Sequence, residues 1–250
     1  MRWLIAFLFL ASPAFAESVV LGLSQNEIAI TTSFDGSEIL VFGAVKREAP
    51  IPDGPPLEVI VTVAGPDEPV NVRRKAKRFG IWVNTDAVEV DRAPSFYAVA
   101  TSGNLRDVLS DVEDLRYKVS VPRAIRSVGA PMEITDAASF TEALIRIRKE
   151  NDLYQLMENH VAVDDQTLFR GRIELPAALT EGAYETRIFL TREGRVISQY
   201  ETAIEVRKVG LERWIFSLSR EQPFLYGLMS LAIAIAAGWG ASAAFSLLRN

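Results

Sequence analysis

The carboxyl end of this 250-residue chain constrains it most. No charged residue occurs from Phe224 to Leu248. As a helix that segment would extend about 37 Å, enough to cross a hydrocarbon core of ~30 Å. The amino end carries Arg2, the apolar run Trp3 to Leu10 and then Ala14-Phe15-Ala16. A positive start, a short apolar stretch and a small-x-small site describe a secretory signal, residues 1–16, cleaved after Ala16. The expected mature protein is an exported region, residues 17–222, held by one transmembrane helix over 223–248. The Lys/Arg balance opposes this orientation, because Arg207, Lys208, Arg213 and Arg220 precede the helix and only Arg249 follows it. A cleaved signal commits the following chain to translocation, so export is the reading adopted. An uncleaved anchor, giving two spans, is its competitor.

Composition narrows the chemistry. The exported region holds all 32 acidic residues and 25 of the 27 basic ones, leaving a formal charge of −7. Such acidity argues against bulk nucleic-acid binding. With no cysteine there is no disulfide, thiolate metal site or cysteine nucleophile, and a single histidine precludes a multi-histidine metal site within one chain. Roughly 200 residues are enough to bury a core without such cross-links.

Short β-rich runs recur between turn signals. Glu27 to Thr31 alternates, Asp35-Gly36-Ser37 supplies a turn, and Ile39 to Val45 and Leu57 to Ala64 follow. Val70 to Lys75, Phe79 to Val83, Ala87 to Val90 and Phe96 to Thr101 come next. This spacing predicts an immunoglobulin-like β-sandwich subdomain over 17–120. Leu105, Val108, Leu109, Val112 and Leu115 have helical spacing, although Asp111 to Asp114 also suits a charged loop. An amphipathic helix is expected over 139–159, with Ser139 and Glu142 as a capping box and Phe140, Leu144, Ile147, Tyr154 and Met157 on one face. Strands return at Thr167 to Leu175, Tyr184 to Leu190 and Arg195 to Val206. The fold class expected is therefore mostly β with an inserted helix. A second β-rich subdomain would cover 121–208; one continuous larger sandwich is the alternative. Residues 209–222 form a juxtamembrane amphipathic segment, with Leu211, Trp214, Ile215 and Leu218 on one face. Pro223 favours a break or a fresh helix start there.

Arg73-Arg74-Lys75, then Gly80-Ile81-Trp82-Val83-Asn84-Thr85-Asp86 and Pro94-Ser95-Phe96-Tyr97-Ala98-Val99-Ala100, resemble the early signatures of one family. Phe169-Arg170-Gly171-Arg172-Ile173-Glu174-Leu175-Pro176 and Glu221-Gln222-Pro223-Phe224-Leu225-Tyr226-Gly227-Leu228 resemble its late ones. This is the alphaproteobacterial putative transmembrane protein family, and the resemblance spans almost the whole chain. It implies a single-pass inner-membrane protein with a periplasmic domain and a cytoplasmic carboxyl terminus. It also implies a neighbourhood of permeases of the sulfite or sulfonate exporter kind. It carries no catalytic residues.

The densest charge feature is Arg73-Arg74-Lys75-Ala76-Lys77-Arg78. On a hairpin, Arg74 and Arg78 would share one face, and Arg73, Lys75 and Lys77 the other. Arg73 or Arg74 can grip an oxyanion bidentately, with Trp82 and Asn84 completing an anion or partner site. Docking to anionic lipid headgroups is another use of the cluster. The competing reading is a solvated hairpin whose charges deter edge pairing, with Trp82 in the core. His160 would be a general base only beside Asp164 or Asp165, and capping the end of the amphipathic helix is the preferred reading. Asp111, Glu113 and Asp114 lack EF-hand spacing and suit a solvated loop. No nucleophile elbow, Walker loop or dinucleotide motif occurs.

Along the apolar segment, Ser230, Ala234, Gly238, Ser242 and Ser246 recur every four residues. Such small-residue stripes let helices approach closely. The chain is accordingly expected to bind rather than catalyse, without cofactor or metal. It would act as an accessory of a membrane transport or envelope complex, its helix docking to an integral membrane partner or a second copy. The alternative is an anion-binding or sensing module, and an enzyme stands third.

Overall fold

The computed structural model describes residues 17–25, 27–31, 34–47, 50–51, 54–127, 136–209 and 211–248. The expected signal segment, residues 1–16, lies outside them. The chain is mostly β, with several sheets, one of them curled into a half-barrel, an inserted helical region and an apolar carboxy-terminal helix. It divides into two compact units. One runs through Ile28 and then Asp35–Val206; the other joins Ala29–Phe34 to Arg207–Asn250.

The first unit is built on two main sheets. Strands β1 (Ser18–Leu23), β3 (Ser37–Lys46), β10 (Leu168–Leu175) and β9 (Val161–Asp164) form one, in the order β1-β3-β10-β9, with antiparallel pairing throughout. The other runs β2 (Glu27–Ile30), β12 (Arg195–Lys208), β11 (Gly182–Arg192), β4 (Glu58–Ala64), β7 (Tyr97–Thr101), β8 (Tyr154–Met157). Both sheets draw strands from either side of residue 120.

Burial follows the period-2 pattern of the sequence. In β10, Phe169, Gly171, Ile173 and Leu175 point inward while Leu168, Arg170, Arg172 and Glu174 face solvent. Ile39, Val41 and Val45 of β3 join that inward face. Strand β4 behaves differently: Val59 to Val63 are all buried, so both of its faces are covered. Its second face packs under three short helices, α1 (Leu105–Val108), α2 (Asp111–Tyr117) and α3 (Val121–Ala124), through Ile60, Tyr97, Val108, Leu109, Val119 and Phe189.

The helical insertion has a topological reason. Strands β7 and β8 are parallel, Tyr97 facing Tyr154, and parallel neighbours need a crossover connection. The crossover contains α4, Ala137–Glu150. Two expectations are corrected here. The helix ends at Glu150 rather than continuing to residue 159, and Tyr154 and Met157 lie in β8. Asp152 adopts φ 57°, which stops the helix before the strand starts. Asp136 occupies the N-cap position, and Ser139 lies inside the first turn instead of capping it.

A third, two-stranded sheet pairs β5 (Asp67–Arg78) with β6 (Ile81–Pro94). Its base carries Val72, Val88, Val90 and Ala93, which bury against Phe140 and Leu144 of α4. Register shifts fall between Glu68 and Val70, where Pro69 removes a donor, and between Arg74 and Lys75, opposite Thr85.

The second unit contains two helices, α5 (Leu211–Glu221) and α6 (Pro223–Leu248), meeting at Gln222. Proline opens α6 where a missing amide hydrogen costs least.

Candidate functional site

The basic and aromatic residues singled out in the sequence converge on the β5–β6 ribbon. Its register pairs Arg73 with Ala87, Lys75 with Asn84 and Lys77 with Trp82, so Arg73, Lys75, Trp82 and Asn84 share one face. Arg74 pairs with Asp86 and belongs to the opposite face, toward α4. The turn is Phe79-Gly80, with φ of 49° and 88°. Two central residues of positive φ make the tight turn that matches strand twist.

Arg74 is committed within the chain. Its Nη2 donates to Asp136 Oδ2 at 2.6 Å and to Ser139 Oγ at 2.7 Å, and Nη1 lies 3.9 Å from Asp86. The guanidinium sits 4.4 Å from the Phe140 ring centroid. The Arg74 hydrogen bond, seconded by Ser139, holds the Asp136 carboxyl below the usual carboxylate range, and Asp136 in turn raises Arg74. This cluster ties the ribbon to the first turn of α4. Arg73, Lys75, Lys77 and Arg78 make no ion pair with another described residue.

The core reading of Trp82 is overturned. Trp82 is 68% exposed, beside Phe79 at 107% and Ile81 at 65%. Packing against α4 covers only the base of the ribbon, and these three residues lie beyond it. The ribbon therefore displays its candidate residues on an open surface rather than around an enclosed cavity.

A second exposed region lies on the outward face of the four-stranded sheet. Val20, Gly22, Phe42, Leu168 and Arg170 border a shallow groove of about 460 Å³. Gly22 of β1 leaves room for the Phe42 ring on that face, because a Cβ there would lie 2.4 Å from it.

The remaining candidates are structural. His160 follows β8, with its amide donating to the Thr101 carbonyl and Nδ1 at 2.9 Å from the Glu158 carbonyl. It does not cap α4, which ends ten residues earlier. Asp114 accepts from the Val119 and Ser120 amides and from Ser120 Oγ, and Glu113 accepts from the Val196 amide. Those carboxylates close the turn after α2 and bind it to β12 rather than waiting in a solvated loop. Asp164 lies 4.0 Å from Arg170. Among the described residues no group of three or more His, Cys, Asp or Glu is placed to hold a metal ion.

Sequence reasoning missed a polar clasp. Glu17 accepts from Arg47 at 2.7 Å and from Arg192 at 3.3 Å, and Arg47 also donates to the Gln166 carbonyl. These partners are 30 and 175 residues from Glu17, so no local spacing could signal them.

In the second unit, Pro223–Ser242 is long and apolar enough to cross a membrane, with none of it buried within the protein. One family model, described as "Putative transmembrane protein (Alph_Pro_TM)", matches residues 18–246. The chain belongs to this family. A search of curated proteins gave no match. Within this family member, Ser230, Ala234, Gly238 and Ser242 are carried on α6 and all four are exposed; the side chain of Ser246 lies outside the described residues.

Proposed function

We propose that this protein is a membrane-anchored periplasmic accessory that works by binding. A β-rich body would be held at the inner membrane by α6, with its carboxyl terminus in the cytoplasm, and would serve a transport or envelope complex. The observation that carries the reading is the display of Lys75, Lys77, Trp82 and Asn84 on an open ribbon, in a chain that also has an apolar, small-residue helix. Open ribbons and exposed apolar surface suit docking to another macromolecule. The groove at Val20, Phe42 and Leu168 adds to that surface.

The body is best understood as an immunoglobulin-like sandwich. Its strand order β1-β3-β10-β9 against β12-β11-β4-β7 supports this, and so does Tyr184, whose hydroxyl donates to the Thr180 carbonyl at 2.9 Å at the entry to β11. The extra ribbon and the helical crossover would then be insertions that give this sandwich its own recognition surface. Glu17, the residue after the expected cleavage site, is clasped by Arg47 and Arg192, which supports a mature chain starting there.

The anion-binding alternative is weakened by Arg74, already occupied by Asp136 and Ser139. An integral membrane partner, of the permease kind that the family resemblance suggests, is the occupant proposed for the small stripe of α6. The test is purification from membranes in mild detergent, comparing the native helix with one carrying leucine at 230, 234, 238 and 242. A stoichiometric partner lost with the stripe is expected. Purification of both forms alone would defeat the accessory reading.

A further inference from the structure

The ribbon's tip has a chemistry that nothing inside the protein uses. Phe79, Ile81 and Trp82 are among its most exposed large apolar side chains. Phe79 also occupies an unfavourable backbone position. A two-residue turn with both φ values positive favours Asn or Asp before the glycine, and a bulky residue at φ 49° is strained. The strain brings no internal packing, because the side chain is wholly exposed. An aromatic group is thus held outward at local cost.

The flanking charge is one-signed. No acidic residue occurs from Pro69 to Thr85, while Arg73, Arg74, Lys75, Lys77 and Arg78 all do. With Arg74 engaged by Asp136, four cations remain directly behind the apolar tip. Apolar groups also lie on both faces of the ribbon: Ile81 pairs with Arg78 on one face, Trp82 with Lys77 on the other. A protein groove would bury one face of such a ribbon. A bilayer surrounds both, taking the apolar tip into its acyl region with the cations at headgroup depth. The net charge of −7 over residues 17–222 would by itself repel an anionic surface, so this cluster supplies the attraction. The register shift opposite Thr85 marks the boundary, with the helix-packed base on one side and the free tip on the other.

The geometry points to the β5–β6 tip, Phe79-Gly80-Ile81-Trp82 backed by Lys75, Lys77 and Arg78, as a wedge that inserts into the surface of an anionic phospholipid bilayer. The insertion is shallow and depends on charge, and it is a second membrane attachment independent of α6. It positions the body relative to lipid whether or not a protein partner is present.

The chain lacks cysteine, so single labelling sites can be introduced. Full-length Ile81→Cys and, as a control on the outer face of β10, Arg172→Cys would carry an environment-sensitive fluorophore. Each would be reconstituted in vesicles of phosphatidylglycerol and phosphatidylethanolamine, or of phosphatidylcholine alone. Acyl-chain quenchers would be placed in the host vesicle or in added protein-free vesicles. Position 81 is expected to be quenched from the acyl region, and shielded from iodide, in anionic vesicles only, while position 172 stays open to iodide. Lys75→Gln with Lys77→Gln and Arg78→Gln should lower partitioning roughly a hundredfold. Phe79→Asn relieves the turn, so it should keep or improve thermal stability while reducing insertion, a combination that a purely structural role would not give. Iodide access at position 81 with both quencher placements would overturn the proposal. So would lipid quenching indifferent to charge, or shielding that appears only when native membrane proteins are restored, which would assign the tip to a protein.

Discussion

Arg47 donates from Nε to Glu17 Oε1 at 2.7 Å, with side chains only 9% and 11% exposed. Arg192 approaches the same carboxylate at 3.3 Å, so one carboxylate serves two guanidinium groups from β11 and from the end of β3. Removing the carboxylate would leave two shielded cations facing each other. Glu17→Gln should therefore cost about 3 kcal/mol and lower Tm by roughly 6–12 °C for a domain of this size. Calorimetry on the purified protein checks this, and an unchanged Tm would mean that water already satisfies both arginines.

The tether between Arg74 and Asp136 predicts something different, because both groups are exposed. Its loss should act locally on the ribbon rather than on global stability. The Asp136 carboxyl is held low by Arg74 and Ser139, so its contribution is present above the ordinary aspartate range and is lost as pH falls through the depressed folded value. Amide protection factors over residues 70–90, with the intrinsic pH dependence of exchange divided out, should fall on acidification through that range. In Asp136→Asn those protection factors should already be low and should not change with pH there. Identical exchange in the two proteins at neutral pH would show that Phe140 and Leu144 alone hold the ribbon.

The parts of this fold that could be read from sequence are those set by local alternation. Strand β10 shows it best, with Phe169, Ile173 and Leu175 inward and Arg170, Arg172 and Glu174 outward. The ribbon's basic run also reads as a hairpin, but its turn does not, because Phe79 reads as the start of a strand and takes positive φ only in the folded chain. Tyr154 and Met157 read as helix because their spacing fits a helix face equally well. What decided their state was pairing with β7, more than fifty residues away in sequence, together with the turn at Asp152. Between a site and a core position for Trp82 the sequence offers no decision, because nothing local reveals that α4 stops short of the tip. The Glu17 clasp and the bond from the Val196 amide to Glu113 are likewise tertiary facts.

Arg148 is a fourth long-range element. It donates to the Ser95 carbonyl and to Glu68, each at 2.6 Å, and lies 5.9 Å from the Tyr154 ring centroid. One side chain thus fastens α4 to the start of β5 and to the β6–β7 corner. Arg148→Met should cost about 2 kcal/mol, since charge-assisted hydrogen bonds are worth more than neutral ones. Arg148→Lys should recover only part, because an ammonium cannot match the forked geometry. Urea unfolding of the three proteins would rank them, and equal midpoints for Lys and Arg would remove the fork from the account.

Burial pushes the phenols of Tyr97, Tyr154 and Tyr184 up to about 12 from an ordinary value near 10. Each stays protonated in the folded chain while the unfolded chain ionises first. A raised folded pKa means that this stabilisation is complete below about pH 10 and is lost as pH rises from there through about 12. Three such groups, at up to about 2–3 kcal/mol each, make unfolding steep in that window. Phenolate absorbance and loss of β-sheet circular dichroism should therefore rise together. Tyr184→Phe separates two effects. It loses the Thr180 bond, costing about 1 kcal/mol at neutral pH, and it removes one titrating group, so its stability should fall less steeply with pH. If all the phenols ionise near pH 10 while the sheet signal persists, the three rings are more open to water than their packing in this fold requires.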